Sequence, residues 1–252
     1  FETPLLDGVI EEYFANGALE RRWVAVREGA DALREKATEL AQPLTELISP
    51  AKPKSKDDEL DAAAALIQGA VAAVPRTLLL VSDNLPEHEM LIKATLATTT
   101  VVAVKYDTWS LDALWGAIER RVPAGTKFDA VGILDHGAPG RFCLLKSVGG
   151  GDIDLADLAS SDIAAFLKAL GGLVNPGGRI DLLGCSVAAG PAGRALLAQV
   201  EALTGVTVTA STDKTGGAEG ADWVMETANL QVIPSYFHAD KLGEWKEAAF
   251  LF

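Results

Sequence analysis

The sequence predicts an α/β fold built on a mainly parallel sheet and preceded by a helical extension. Three observations carry that expectation. From Thr77 onward, short apolar runs of β character alternate with amphipathic helical segments, the pattern of βαβ units. Two of those runs stop at a reactive side chain beside glycine: VGILDHGAPG delivers His136 before Gly137, and RIDLLGCSVAAG delivers Cys185 after Gly184. Polar residues also gather where successive runs end, at Ser82-Asp83-Asn84, Tyr106-Asp107-Thr108, Asp135-His136, Gly184-Cys185-Ser186 and Ser211-Thr212-Asp213. That is the carboxyl edge at which open parallel sheets bind ligands, although turn and cap preferences of Ser, Asp and Asn account for much of the list.

In chain order, residues 1–48 carry apolar positions at mixed three- and four-residue spacing, among them Val9, Tyr13, Trp23, Leu33 and Leu40, which read as two or three amphipathic helices. Pro, Lys and Asp interrupt the period at 49–58, a polar linker. The α/β domain is expected over 59–235, beginning with a helix that leads into Pro75. TLLLVS at 77–82 is the first strand, a helix runs through His88 to Ala97, and TTVVAVKY at 99–106 is the second strand. Ser110 suits the N-cap of the helix SLDALWGAIERR. FDAVGILDH at 128–136 is the third strand, RFCLLK a short one, and SSDIAAFLKALGGL a helix ending in glycines. The run RIDLLGC reads as a buried strand, Gly190-Pro191 opens a helix through Val200, and VTVTAS at 206–211 is a further strand. WVMET and LQVIP are expected to complete the sheet, leaving 236–252 as a C-terminal tail.

Composition narrows the function classes. The 252 residues are 49% hydrophobic and 23% charged, enough apolar residue for a substantial core. A net charge of −13 repels phosphates, and the short AKPKSK stretch is no basic stripe, so nucleic acid is not an expected partner. No run reaches the ~18 apolar residues of a membrane span, and the acidic first residues do not resemble a signal peptide. The chain is read as soluble, with its compartment open, and its start at Phe1 suggests a piece of something longer. Two cysteines, Cys143 and Cys185, are too few for a disulfide framework.

Three blocks, ILDHGAPGRFCLL, RIDLLGCSVAAGPAGRALLAQVEALTGVTVTASTDKTGG and ADWVMET, give the stretch from about Thr77 to Ile233 a family resemblance. It resembles a caspase-like domain of uncharacterised function within the caspase, gingipain and legumain group of cysteine peptidases, of the type found in large bacterial surface proteins. The resemblance implies a caspase-like three-layer α/β sandwich with His136 as catalytic base and Cys185 as nucleophile. It also implies an oxyanion site formed by the backbone N–H groups of Gly137 and Cys185. Some caspases carry their His about 50 residues before the Cys; here the two are 49 positions apart. Leu183-Gly184-Cys185-Ser186 departs from the caspase cysteine signature, so Asp-directed specificity does not carry over.

The implied chemistry is acyl transfer on a protein or peptide substrate: a Cys185 thiolate attacks a carbonyl carbon and His136 relays the proton to the leaving amine. No metal or organic cofactor is required. Asp107, Arg141, Ser186 and Asp213 are candidate substrate-binding residues, two carboxylates for a basic side chain and an arginine for an acidic one. Asp135 is adjacent to His136 in sequence, but consecutive strand residues face opposite sides, which argues against its orienting the imidazole. Cys143 reads as core. The competing class is a catalytically inactive scaffold or interaction module, with the N-terminal helices binding a neighbouring domain or protein. An enzyme predicts an exposed, acidic thiol at Cys185; a scaffold predicts a buried, inert one.

Overall fold

The computed structural model describes residues 75–249; the helices expected over 1–48, the linker expected at 49–58 and the helix expected before Pro75 lie outside them. Five strands form the central sheet: β1 (Thr77–Ser82), β2 (Thr99–Val104), β3 (Phe128–Leu134), β7 (Val174–Leu182) and β8 (Thr207–Ala210). Their order is β2-β1-β3-β7-β8 and every pairing is parallel. A small antiparallel sheet of β4 (Gly137–Ala138), β5 (Arg141–Cys143) and β6 (Asp152–Asp154) follows β3. The chain starts in the middle of the sheet, fills one side with β2, and returns to the other with β3. The strand order therefore reverses between β1 and β3, the place where such sheets open a crevice.

Strand periodicity divides the core into two layers. Leu78, Leu80, Val131, Ile133, Ile180 and Leu182 face the apolar sides of α2 (Leu111–Arg121), α3 (Ser161–Gly171) and α4 (Gly190–Thr204). Leu79, Val81, Ala130, Leu134 and Leu183 face the other way, against α1 (His88–Lys93), α5 (Ile233–Tyr236) and α6 (Ala239–Leu242). The result is a three-layer α/β sandwich. All six residues of β1 are buried, as expected of a strand covered on both faces. Ser110 caps α2 by accepting the Ala113 N–H at 3.2 Å. Pro191 lies in the first turn of α4, and Gly205 ends that helix at φ 73°, the left-handed conformation glycine adopts without a Cβ penalty.

Most elements fall where the period places them, with shifted ends. Helix α1 stops at Lys93, β3 ends at Leu134, before Asp135 and His136, and β7 begins five residues before Arg179. One expectation is overturned. WVMET and LQVIP do not join the central sheet; they supply β9 (Val224–Met225) and β10 (Leu230–Gln231), a separate antiparallel hairpin. The open edge of β8 is occupied instead by a side chain, since the Thr227 hydroxyl accepts the Ala210 N–H at 3.0 Å and donates to the Ala210 carbonyl at 3.1 Å. Trp223 and Met225 turn onto the second face and fill that layer.

Asp181 is a charge inside the sandwich, fully buried on β7. Its carboxylate receives Arg179 Nε at 2.9 Å, the Thr209 hydroxyl at 2.5 Å and the Tyr236 hydroxyl at 2.6 Å. Burial, and then the Asp181 charge, push the Tyr236 pKa well above its ordinary value, so this phenol remains a donor. Tyr236→Phe keeps the packing and strips one donor from a buried charge. It should lower the unfolding free energy by about 1.5–3 kcal/mol, read as a drop in urea midpoint at unchanged slope.

Candidate active site

The carboxyl ends of β1, β3 and β7 bring the two reactive side chains' segments together. Two residues beyond β3, His136 is almost buried, and its Nε2 lies 3.2 Å from the Asn84 carbonyl oxygen in the loop after β1. A carbonyl only accepts, so Nε2 donates in this contact, and in a neutral ring the basic nitrogen is then Nδ1. Gly137 packs directly on the end of β7: a methyl group there would lie 2.9 Å from the Cys185 carbonyl oxygen and 3.0 Å from the Gly184 carbonyl carbon. Only glycine allows the two loops to approach this closely.

That approach aligns two donors. The N–H of Gly137 and the N–H of Cys185 both point at one atom, the Ala249 carbonyl oxygen, at 3.0 and 2.8 Å. The segment carrying it comes from the chain's C-terminal tail, laid along residues 215–218. Ala249 N–H donates to Thr215 O at 3.0 Å, Gly217 and Ala218 N–H donate to Glu247 O at 2.8 and 3.1 Å, and Gly216 and Ala248 form an antiparallel bridge. Trp245 anchors the segment: its indole N–H donates to Pro86 O at 2.9 Å, and its ring packs 5.9 Å from that of Trp223.

Cys185 is fully buried within this arrangement. Its sulfur accepts the Thr215 N–H at 3.2 Å and its S–H points to the Thr215 carbonyl at 3.5 Å. Burial pushes the thiol pKa up; the Thr215 N–H, Lys214 and the Ala249 backbone pull the other way without offsetting it. A buried, protonated thiol is the state expected of a scaffold, yet Ala249 and Trp245, both buried, are part of the same apolar layer as Cys185. Cys143 is core, with its pKa pushed up to about 12 chiefly by burial, and both cysteines are free thiols.

Asp135 anchors His136 through the backbone, its Oδ1 accepting the His136 N–H at 2.7 Å. Burial raises the Asp135 pKa from 3.8 to about 6, against the opposing hydrogen bonds of Ser82, His136 and Asn84. Below pH ~3 the carboxyl is neutral in both folded and unfolded chains. Between about pH 4 and 6 the unfolded chain ionises while the folded carboxyl keeps its proton, so stability falls, and the loss levels off above pH ~6 at about 3 kcal/mol for two pKa units. Asp135→Asn retains an acceptor for the His136 N–H. Denaturation midpoints should show it equal to the parent near pH ~3 and more stable, by up to that amount, at pH ~8.

The four candidate substrate-binding residues occupy separate places. Exposed Asp107 pairs with Lys146 at 2.9 Å, and Arg141 pairs with Asp152 at 2.8 Å. Ser186, next to Cys185, adopts φ 59° and donates its N–H to Asp213 O at 2.5 Å. The Asp213 carboxylate lies with those of Asp222 and Glu226 in an exposed acidic group. That group is already engaged: Asp222 Oδ1 accepts the Val224 N–H and Glu226 Oε2 the Thr212 N–H. A depression of about 420 Å³ lined by Lys127, Asn175, Gly205 and Thr207 opens at the opposite, amino-terminal edge of the sheet, away from His136 and Cys185.

Sequence reasoning missed Asn84 as the carbonyl that holds the imidazole, Thr215 as the residue that holds the thiol, and the tail altogether. Asn84 and Thr215 act through backbone atoms, which leave no side-chain signature. Tail residues 245–249 have neither charge run nor motif; the aromatic Trp245 is the one signal that could have singled them out.

The family model described as "Domain of unknown function (DUF4347)" matches residues 78–248, thus including most of the tail, beyond Ile233 where the sequence resemblance stops. No curated protein matches the chain. The match takes in the whole central sheet except the first residue of β1, along with both loops that carry His136 and Cys185. The chain belongs to the DUF4347 family.

Proposed function

We propose that this chain is a caspase-like cysteine peptidase in which Cys185 is the nucleophile and His136 the base. The observation that carries the reading is the convergence of the Gly137 and Cys185 N–H groups on one peptide carbonyl oxygen. Donors at 2.8 and 3.0 Å from a carbonyl oxygen, fixed by backbone rather than by side-chain rotamers, are what stabilises the charge that develops when that carbonyl is attacked. Attack by the sulfur would put negative charge on this oxygen. His136, held through Nε2 by Asn84, would take the thiol proton on Nδ1 and return it to the departing amine. Thioester hydrolysis by water then restores the thiol.

A second reading, the inactive scaffold, draws on the buried thiol and its raised pKa. Iodoacetamide alkylation of Cys185 from pH 5 to 9 separates the two, using chains with Cys143→Ala and Trp245→Ala so that one thiol remains and the tail is loosened. The peptidase reading expects reaction with an apparent pKa below the ordinary cysteine value of ~8.5, and loss of the low-pH reactivity in His136→Ala. A Cys185 that reacts only on unfolding would favour the scaffold.

A further inference from the structure

We infer that the tail is this peptidase's own substrate, bound in cis, and that the bond presented to Cys185 is Ala249–Phe250. The inference rests on the peptidase reading above and specifies what that site accepts. A peptide that merely blocks a cleft can lie in any register or direction. This one lies in the register of a substrate: an extended segment added antiparallel to residues 216–217, as strand-addition complexes do, with one carbonyl placed between two backbone donors. The carbon of that carbonyl is bonded to the nitrogen of Phe250.

The same segment shows how it is selected. Lys246 and Glu247 are exposed, while Trp245 and Ala249 are buried. Backbone hydrogen bonds to Thr215, Gly217 and Ala218 are indifferent to side chains. Selectivity is therefore read at two positions: a small apolar residue that donates the carbonyl, and an aromatic residue four places before it, set against Trp223 and the Pro86 carbonyl. Gly216 and Gly217 keep the track open, since a methyl group on either would collide with the Glu247 or the Trp245 carbonyl oxygen. The preferred substrate is thus an extended Trp-x-x-x-Ala segment.

The step balances without a co-reactant other than water. The Cys185 sulfur bonds to the Ala249 carbonyl carbon, the Ala249–Phe250 C–N bond breaks, and the thiol proton passes through His136 to the Phe250 nitrogen. Water then hydrolyses the thioester, leaving a carboxylate on Ala249 and the thiol on Cys185.

Intact-mass measurement on the purified 252-residue chain during incubation at pH 7.5 tests this. The expected result is a product ending at Ala249 that forms in the parent chain and not in Cys185→Ala. Ala249→Trp should suppress it, and Gly217→Val should slow it at least tenfold while making Cys185 alkylation faster; Trp245→Ala serves if Gly217→Val does not fold. The inference is overturned if the parent stays intact, or is cut elsewhere, while Trp245→Ala hydrolyses a fluorogenic Trp-Lys-Glu-Ala-Ala amide in a Cys185-dependent way. Failure of self-cleavage together with failure of that hydrolysis removes the peptidase reading itself.

Discussion

Cys185→Ala is expected to reduce hydrolysis of a fluorogenic Trp-Lys-Glu-Ala-Ala amide by roughly 10⁴-fold or more in the Trp245→Ala background, with His136→Ala falling by a comparable factor. Nucleophile and base act as one unit, so deleting either removes nearly the whole covalent route. The residual rate is what the Gly137 and Cys185 N–H groups supply through carbonyl polarisation, since both survive the substitution of a side chain. The double variant should accordingly be no slower than the slower single one. Additive losses would mean that the two side chains work separately, and progress curves for the four proteins decide the matter. Thermal midpoints should be compared alongside, because Cys185 is buried and its truncation leaves a small void.

Loosening the tail is expected to have the second largest effect. Trp245 is almost completely buried, tilted against Trp223 and hydrogen-bonded to Pro86. Truncating a buried Trp to Ala costs about 3–5 kcal/mol where the surroundings stay in place. That cost falls on the docked tail if the tail opens as a local unit, raising its open fraction by about 10²-fold or more. Cys185 alkylation at pH 7.5 should accelerate by the same factor in Trp245→Ala, while Cys143, buried on β5 of the small antiparallel sheet, stays protected. A mass shift on Cys185 alone, timed against the parent chain, reads this out. An unchanged rate would mean that the burial of Cys185 comes from the domain body and that the tail is not its cover.

Much of the frame was legible in the sequence because it rests on side-chain period. The fully apolar TLLLVS and the FDAVGIL run declare strands buried on both faces, and Ser110 and Pro191 mark helix starts by chemistry that acts locally. Element ends were less legible. The run at 128–136 has no residue that forbids strand at Asp135; what stops it is the Asp135 carboxylate taking the next N–H, a contact between neighbours. WVMET looked like sheet because Trp, Val and Met suit a pleated surface, yet the β8 edge was closed by Thr227 reaching back over a turn. At the site, His136 and Cys185 were marked by their place beside glycine at strand ends. Their partners were not, because Asn84, Thr215 and Ala249 contribute main-chain atoms, which every residue possesses. Position in space alone distinguishes them.

The central claim is that Cys185 is a nucleophile aimed at a carbonyl held by Gly137 and Cys185 N–H groups. Its most direct test is a Trp-Lys-Glu-Ala-Ala acyloxymethyl ketone, which alkylates a thiol only after its own carbonyl has docked. Incubated with Trp245→Ala and digested for peptide mass spectrometry, the chain should carry one thioether, on Cys185, with none on Cys143 and at least tenfold less in His136→Ala. Equal labelling of both cysteines, or labelling of Cys185 that ignores His136, would contradict the account.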